Sequence, residues 1–214
     1  MIQIEKELST AKKASIKSAE LLTGKKTSIN NLISNEGRDV KLQADIESEK
    51  IIKNYLKEFS DLPILAEESG ANEHLGSSFW VVDPLDGTSN YSRDFPICCI
   101  SIALIHENKI TLGVINDFNR NIIYEGSTET PAMMNSKVIT VSDVSDKSKA
   151  TLATGLPAKG NFEDKAMHDL AQEFSQWKKV RMIGSAAMSC AYVASGQFDQ
   201  YKDCLLYTSP SPRD

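Results

Sequence analysis

Apolar and small residues recur at helical spacing in two segments near the start of the chain. Across residues 4–22 they stand three or four positions apart among lysines and glutamates, which predicts an amphipathic helix that ends near Gly24. A second pattern of this kind follows Asp45 and runs to Phe59, shortly before Pro63. Asp45 is therefore expected at or near a helix N-terminus, and the first half of the chain is expected to begin with two helices.

The pattern then changes to the period of β-strands. Four short runs rich in β-branched and aromatic residues follow one another and are separated by turn residues. They lie at residues 79–82, 97–105, 110–115 and 121–124. Successive strands with short connections are typical of a meander, so we expect a sheet that is at least partly antiparallel.

Strand-like and helical patterns alternate in the last third of the chain. After a polar stretch at residues 142–149, the order is strand, helix, strand, helix, strand. These elements are predicted at residues 150–154, 163–177, 180–183, 185–195 and 198–201. Such alternation predicts a layered second lobe, and the chain as a whole is assigned to the α/β class with α+β character.

The composition is that of an ordinary globular protein. The 214 residues are 41% hydrophobic and carry 24 basic and 29 acidic side chains, for a formal net charge of -5. Binding to a nucleic-acid polymer needs clustered lysine and arginine, which a small acidic excess does not favour. No apolar run approaches a membrane span, and the four cysteines show no disulfide pattern. We therefore expect a cytoplasmic protein that binds neither nucleic acid nor membranes.

The residues most suited to chemistry lie where an apolar strand leads into the string W-V-V-D-P-L-D-G-T-S-N-Y. Asp83 and Asp86 project from the end of this strand. Divalent cations such as Mg²⁺ prefer oxygen ligands, and the carbonyl of Leu85 could complete one edge of the coordination shell. Gly87 lets the chain turn closely enough for backbone N–H groups to meet a phosphate, particularly if a helix starts at Thr88. An isolated D-x-x-D pair is also typical of turn or capping carboxylates.

Further motifs accompany this string along nearly all of the chain before residue 203. They are D-V-x-x-x-A-D at 39–45, A-E-E-S at 66–69, F-P at 95–96, S-I-A-L at 101–104, and R-x-x-G-S-A-A with A-S-G-Q-F-D within 181–199. Together these motifs resemble the inositol monophosphatase family of Mg²⁺-dependent phosphatases. The resemblance implies a layered αβαβα sandwich of the sugar phosphatase type, with its last part missing from this chain.

The resemblance also implies a metal and catalytic set. Four ligands would hold Mg²⁺: the carboxylates of Glu67, Asp83 and Asp86 and the carbonyl of Leu85. Glu67 would also take part in catalysis. Thr88, with Asp45 behind it, would orient and deprotonate a metal-activated water. From the residues alone, Asp45 is more often a helix cap than a catalytic group, so its role rests on the family resemblance. Glu68 is either a helper of its neighbour or a solvated side chain.

The resemblance also implies which residues contact the substrate. The N–H groups of Gly87 and Thr88 would bind the phosphate, while Asp86 and Ala186 would contact the substrate. Ala186 also suits close helix packing, because small side chains allow helices to approach. The implied reaction is hydrolysis of a small phosphomonoester, inositol monophosphate above all. The alternatives are a 3'(2'),5'-bisphosphate nucleotidase, a fructose-1,6-bisphosphatase, or a noncatalytic metal- or phosphate-binding remnant. A homodimer is an open prediction.

The match to the family fails at the C-terminus. The W-D-x-A-A-G element that supplies another metal ligand is absent, and Asp203 does not fit its place. We interpret residues 204–214 as non-native, because C-L-L-Y-T-S-P-S-P-R-D is what a common sequencing adapter encodes in one frame. The predicted division is an N-terminal α+β lobe at 1–125 with the metal and phosphate site, an incomplete C-terminal α/β lobe at 126–203, and the tail. The chain as written is expected to be inactive or impaired.

Overall fold

A computed structural model describes residues 2–36, 39–71, 74–156 and 164–203. The helices in these ranges are α1 (Ile4–Gly24), α2 (Lys26–Ile29), α3 (Gln43–Phe59), α4 (Thr88–Ser92), α5 (Asp164–Ser175) and α6 (Ala186–Ala194), with a 3-10 turn at Lys147–Lys149. The strands are β1 (Leu32–Glu36), β2 (Asp39–Leu42), β3 (Ile64–Ala66), β4 (Gly70–Ala71), β5 (Ser78–Asp86), β6 (Cys99–His106), β7 (Lys109–Asp117), β8 (Ile122–Ser127), β9 (Met133–Met134), β10 (Lys137–Val138), β11 (Thr151–Gly155), β12 (Lys179–Met182) and β13 (Gln200–Asp203).

The two long helices predicted near the start of the chain are present. In α1 the buried residues include Leu8, Ala11, Ala14 and Leu22, and this three-and-four spacing places them on the face that packs against α3 and the large sheet. Helix α3 begins at Gln43, so that Asp45 lies in its first turn as predicted. None of the described helices is both long enough and apolar enough to cross a membrane.

A buried pair of serines ties these helices to the strand end that carries the two aspartates. The hydroxyl oxygens of Ser18 in α1 and Ser48 in α3 are 2.6 Å apart. Ser48 donates its proton to the carbonyl oxygen of Pro84 at 2.7 Å, so Ser18 is the donor to Ser48. Both serines are fully buried. Because each polar group has a partner, the helices can pack against the strand end without a desolvated hydroxyl.

Eight strands form the large sheet, in the order β10-β9-β8-β7-β6-β5-β3-β4. The meander predicted from the sequence is confirmed, since β5, β6, β7 and β8 pair antiparallel in succession. The β3 strand, in contrast, joins β5 in parallel. Alternate residues of β5 and β6, among them Trp80, Val82, Ile102 and Leu104, enter the main core under α1 and α3. The core therefore fixes the strand that leads to the candidate site.

The second lobe has the alternation predicted for it. Its three strands are parallel in the order β12-β11-β13, and they are connected by α5 and α6. Helix α6 contacts both sheets, while Phe174 of α5 packs against a cluster formed by Leu152 of the small sheet, Ala150 and Trp177. The layers thus run α1 with α3, large sheet, α6, small sheet, α5. This is the αβαβα arrangement of the mixed α/β class.

Several short elements were not predicted. A helical turn and the hairpin β1–β2 stand between the first two long helices, so the expectation that the chain begins with two successive helices was incomplete. The strands β3, β4, β9 and β10 are two or three residues long and have no periodicity of their own. The large sheet extends through β10 beyond residue 125, and the division of the chain there stays a prediction. The predicted tail at 204–214 lies outside the described residues.

The serine pair provides a test of this packing. Replacing Ser48 by alanine leaves the Pro84 carbonyl and the Ser18 hydroxyl without their partner, and we expect the free energy of unfolding to fall by about 1–3 kcal/mol. Urea unfolding measures this change. The matched control is Ser9→Ala on the exposed side of α1, for which a change within about 0.5 kcal/mol is expected. Equal stability of the two variants would contradict the proposed coupling of helices and strand end.

Candidate active site

A β-bulge at the end of β5 turns the two aspartates out of the regular strand. Asp83 lies opposite Ser101 of β6, and Asp86 lies opposite Cys99, so three steps along β5 match two along β6. A bulge of this kind bends the strand and redirects side chains. The N–H of Leu85 donates to Asp83 Oδ1 at 3.1 Å, which holds the carboxylate against its own turn.

The parallel pairing of β3 with β5 brings Glu67 to the same place. Ala66 is the register partner of Val82, and the N–H of Glu67 donates to the Val82 carbonyl at 3.0 Å. Parallel strands present their carboxyl ends at one edge of a sheet, so Glu67 follows β3 where Asp83 follows the apolar part of β5. The Glu67 and Asp83 carboxyl groups are therefore close enough to interact directly.

The closeness of Glu67 to Asp83 affects the pKa of Asp83. Burial raises the pKa of Asp83 well above its usual range, and the negative charges of Glu67 and Asp86 raise it further. A bound cation would lower this pKa, because it offsets the neighbouring negative charges. Within the residues that the structure describes, however, no three acidic, histidine or cysteine side chains are grouped closely enough to hold a metal ion by themselves. The Mg²⁺ set of Glu67, Asp83 and Asp86 stays a prediction.

The carboxylate of Asp86 faces helix α6 in the second lobe. Its Oδ2 accepts hydrogen bonds from the Ser185 hydroxyl and from the N–H of Ala187, the latter at 2.8 Å. The N–H of Ala186 lies 3.3 Å from Oδ1. A helix N-terminus stabilises a carboxylate through its free N–H groups. Asp86 therefore links the bulge of the large sheet to the start of α6, and it places the exposed Ala186 beside the candidate site.

Gly87 is required by the backbone at the next position. Its φ of +88° is one that side chains other than glycine rarely adopt. A Cβ at this position would also stand 2.9 Å from the carbonyl oxygen of Ile97. Helix α4 begins immediately afterwards at Thr88, as the sequence suggested.

Thr88 joins Asp45 to the bulge. Its hydroxyl lies 2.9 Å from Asp45 Oδ1 and 3.0 Å from the carbonyl of Leu85. The other carboxylate oxygen of Asp45 accepts the Leu42 N–H at 2.7 Å, so Asp45 both caps α3 and holds Thr88. Burial raises the pKa of Asp45 to about 6, while the hydrogen bonds from Leu42 and Thr88 oppose that rise. Sequence reasoning left the cap and the catalytic role as alternatives, and the geometry is compatible with both.

Asn90 forms a second link between the lobes, and sequence analysis did not single it out. Its Nδ2 donates to the carbonyl of Ile97 at 2.7 Å and to the carbonyl of Ile183 at 2.8 Å. A Cβ on Gly184 would approach the Asn90 amide to 3.1 Å. The approach of α6 to the bulge therefore depends on Asn90 and on the absence of a side chain at Gly184.

A set of charged residues supports Glu67 from outside. The N–H of Glu68 donates to Glu49 Oε2 at 2.8 Å, and the Glu68 carboxylate pairs with Lys41. The hydrogen bond to Glu68 raises the pKa of Lys41. Glu49 is buried, and its Oε1 lies 3.6 Å from Nζ of Lys53. Glu68 is thus a paired residue rather than a solvated one, and it holds the turn that carries Glu67.

Three comparisons place this geometry among known proteins. A sequence model described as the inositol monophosphatase family matches residues 3–204. "Nus factor SuhB" of Xylella fastidiosa is 36% identical over 175 residues, which are 80% of this chain and 62% of that protein. "Inositol-1-monophosphatase" of Synechocystis is 34% identical over 177 residues, which are 79% of this chain and 61% of that protein. The chain therefore spans about three fifths of the length of these curated relatives.

The fold is similar to solved structures as well. The crystal structure of extragenic suppressor protein suhB from Bartonella henselae matches with a TM-score of 0.82 and 27% sequence identity. The match covers 91% of this chain and 77% of that chain. The likeness confirms the α/β sandwich described above.

Substitution of Gly87 tests the backbone of the site. Gly87→Ala introduces a Cβ into a left-handed conformation and against the Ile97 carbonyl, and we expect a loss of about 2–4 kcal/mol in the free energy of unfolding. Chemical unfolding measures the change. Gly24→Ala is the control, because a Cβ there meets no described atom within 4 Å and Gly24 lies at the end of a helix. A Gly87→Ala protein as stable as this control would show that the bulge tolerates a side chain.

Substitution of Asp83 tests the electrostatics of the site. An acid whose folded pKa lies above its unfolded value contributes stability at low pH that is lost as the pH rises through the folded pKa. Asp83→Asn removes this loss. The metal-free variant should therefore melt above the parent at pH 8, by about 2–4 °C for each kcal/mol of relieved repulsion, and the gain should shrink toward pH 4.

Thermal melts in a chelator over this pH range measure the effect. Asp143→Asn, at an exposed position, is the control and should melt with the parent. A destabilised Asp83→Asn protein at pH 8 would contradict the repulsion inferred between Asp83 and its acidic neighbours.

Proposed function

We propose that this chain, which belongs to the inositol monophosphatase family, carries the site of a Mg²⁺-dependent enzyme that hydrolyses a small phosphomonoester. One observation carries the proposal: the carboxyl groups of Glu67 and Asp83 interact beside the bulge, and the hydroxyl of Thr88, which follows the bulge, lies 2.9 Å from Asp45 Oδ1. A cation site and a hydroxyl held by a carboxylate are the two parts that hydrolysis by water needs.

The oxygen atoms at the bulge fit a hard divalent cation. Burial and the nearby negative charges raise the pKa of Asp83, and Glu67 and Asp83 would both hold Mg²⁺ with the carbonyl of Leu85. When bound, Mg²⁺ lowers the pKa of a water and offsets negative charge on the phosphoryl group. Asp86 would join the set by dividing its oxygens between the ion and the N-terminus of α6. Its assignment as a ligand rests on the family resemblance.

Proton transfer is assigned to Thr88 and Asp45. A single hydroxyl proton serves either Asp45 or the Leu85 carbonyl well. When it points to Asp45, the Leu85 oxygen is open to a cation and the Thr88 oxygen can accept a hydrogen bond from a water. Asp45, with a pKa of about 6, is largely ionised at neutral pH and can take the proton that passes through Thr88.

Binding of the phosphate is assigned to the start of α4. The N–H groups of Gly87 and Thr88 lie at the beginning of this helix, where backbone donors have no partner within the helix. The left-handed Gly87 turn brings the backbone close to any group bound at the bulge. Ala186 lies on the facing side, next to Asp86, and would contact the alcohol part of the substrate.

Inositol monophosphate is the substrate that we favour. The relative from Synechocystis is named for inositol 1-phosphate hydrolysis, and the string T-S-N-Y-x-x-x-F-P resembles that branch of the family. A bisphosphate nucleotidase and a fructose-1,6-bisphosphatase are the alternatives within the same chemistry. The relative named Nus factor SuhB makes a noncatalytic binding role the second candidate. A cytoplasmic location and a homodimer stay predictions.

Release of phosphate tests the proposal. The 214-residue chain and a longer form that continues into the C-terminal segment of its relatives are assayed with Mg²⁺ and inositol 1-phosphate. Thr88→Ala should lower kcat/KM about 100-fold or more, because the path to Asp45 is lost. Asp83→Asn should abolish turnover and also the rise in melting temperature that Mg²⁺ gives the parent.

The controls separate the remaining possibilities. Asp143→Asn should keep full activity. Adenosine 3',5'-bisphosphate and fructose 1,6-bisphosphate are assayed in parallel, and a preference for either one replaces the substrate assignment. A folded long form that hydrolyses none of the three, or whose activity survives Asp83→Asn, would overturn the catalytic proposal and favour the binding role.

A further inference from the structure

An acidic cavity lies outside the candidate active site. Its volume is about 410 Å³, and it is bounded by the start of α1 and by the end of α3 with the segment that follows. Three acidic side chains line it, Glu7, Glu58 and Asp61, against one lysine, Lys6. The cavity therefore has an excess of negative charge that the proposed phosphatase does not use.

Glu7 is the residue that points to a ligand. Its side chain lines the cavity and is only 7% exposed, and its Oε2 has no hydrogen-bond partner among the described residues. A buried carboxylate oxygen without a donor is unfavourable. Among the ion pairs formed by the described part of the chain, none includes Glu7, Glu58 or Asp61. A positively charged donor from outside the chain would satisfy Glu7.

The rest of the cavity wall favours a cation with an aliphatic body. Glu58 and Phe59 stand in the last turn of α3, and the C-terminus of a helix carries a partial negative charge. Phe59 is 42% exposed and lines the cavity, where an aromatic ring can contact a cation or methylene groups. Leu62 adds a further apolar surface. The lining is mostly polar, with Phe59 and Leu62 as part of its apolar surface.

A metal ion fits this arrangement less well. Mg²⁺ and Ca²⁺ need several oxygen ligands at about 2.0–2.6 Å. The negative charges are instead spread around a cavity of several hundred cubic ångströms. They match a ligand whose own positive charges are separated along a chain.

We propose that this cavity binds an aliphatic diamine or polyamine. One ammonium group pairs with the Glu7 carboxylate, the methylene groups lie against Phe59 and Leu62, and the second ammonium group faces Glu58 and Asp61. The site is separate from the residues assigned to phosphate hydrolysis. Because the cavity lies at the junction of α1 and α3, binding of the ligand would affect how these two helices pack against the large sheet.

Calorimetric titration with 1,4-diaminobutane tests the proposal. The whole chain is titrated in a chelator at constant ionic strength, which keeps metal out of the active site. Saturable binding with one site is expected. Glu7→Gln should weaken it about tenfold, since one charge-assisted hydrogen bond is lost, and Glu58→Gln, at an exposed position, should weaken it by a smaller factor.

Two matched variants distinguish this cavity from the rest of the acidic surface and from the active site. Glu5 is an exposed acid on the same turn of α1, but it does not line the cavity, so Glu5→Gln should bind the diamine as the parent does. Asp83→Asn changes the candidate active site and should also bind the diamine as the parent does. Absence of saturable binding overturns the proposal. So does equal affinity in the parent, Glu7→Gln and Glu58→Gln, and so does loss of binding in Asp83→Asn, which would place the diamine in the active site.

Discussion

The crowding of carboxyl groups at the end of β5 is the constraint on which the site depends. Each acidic group there has a different partner. Asp83 interacts with Glu67, Asp86 accepts hydrogen bonds from the N-terminus of α6, and Asp45 accepts them from the Thr88 hydroxyl and the Leu42 N–H. Every donor comes from a different element, so the helices and strands around the bulge must hold their positions for the charges to be tolerated.

The same constraint connects the two lobes. Asp86 and Asn90 belong to the segment that leaves the large sheet, and they bind backbone groups at the start of α6 and just before it. The lobes are therefore joined at the point where the candidate chemistry lies. A ligand that draws Asp86 away from α6 would change this junction. The hydrogen bonds between Asp86 and α6 therefore connect ligand binding at the site with the relative position of the lobes.

The site is held at the expense of local stability. Burial raises the pKa values of Asp45 and Asp83. Neutral residues in these places would relieve the electrostatic part of this cost. The surrounding structure offsets it through Ser48 under the bulge and Glu49 behind the turn that carries Glu67. Unfavourable local arrangements persisting in a well-packed frame are typical of functional sites.

The sequence by itself determined the features that depend on near neighbours in the chain. Helical and strand periodicity identified α1, α3, the meander and the alternating second lobe, and one local string located Asp83, Leu85, Asp86, Gly87 and Thr88. Only the tertiary structure decided that β3 pairs in parallel with β5 and so brings Glu67 to Asp83, that Asp86 faces α6, and that Asn90 and Glu49 support the site. The short hairpin β1–β2 also escaped prediction. These features arise from contacts between residues distant in sequence, whose geometry is set by strand pairing and packing and leaves no periodic signal in the chain.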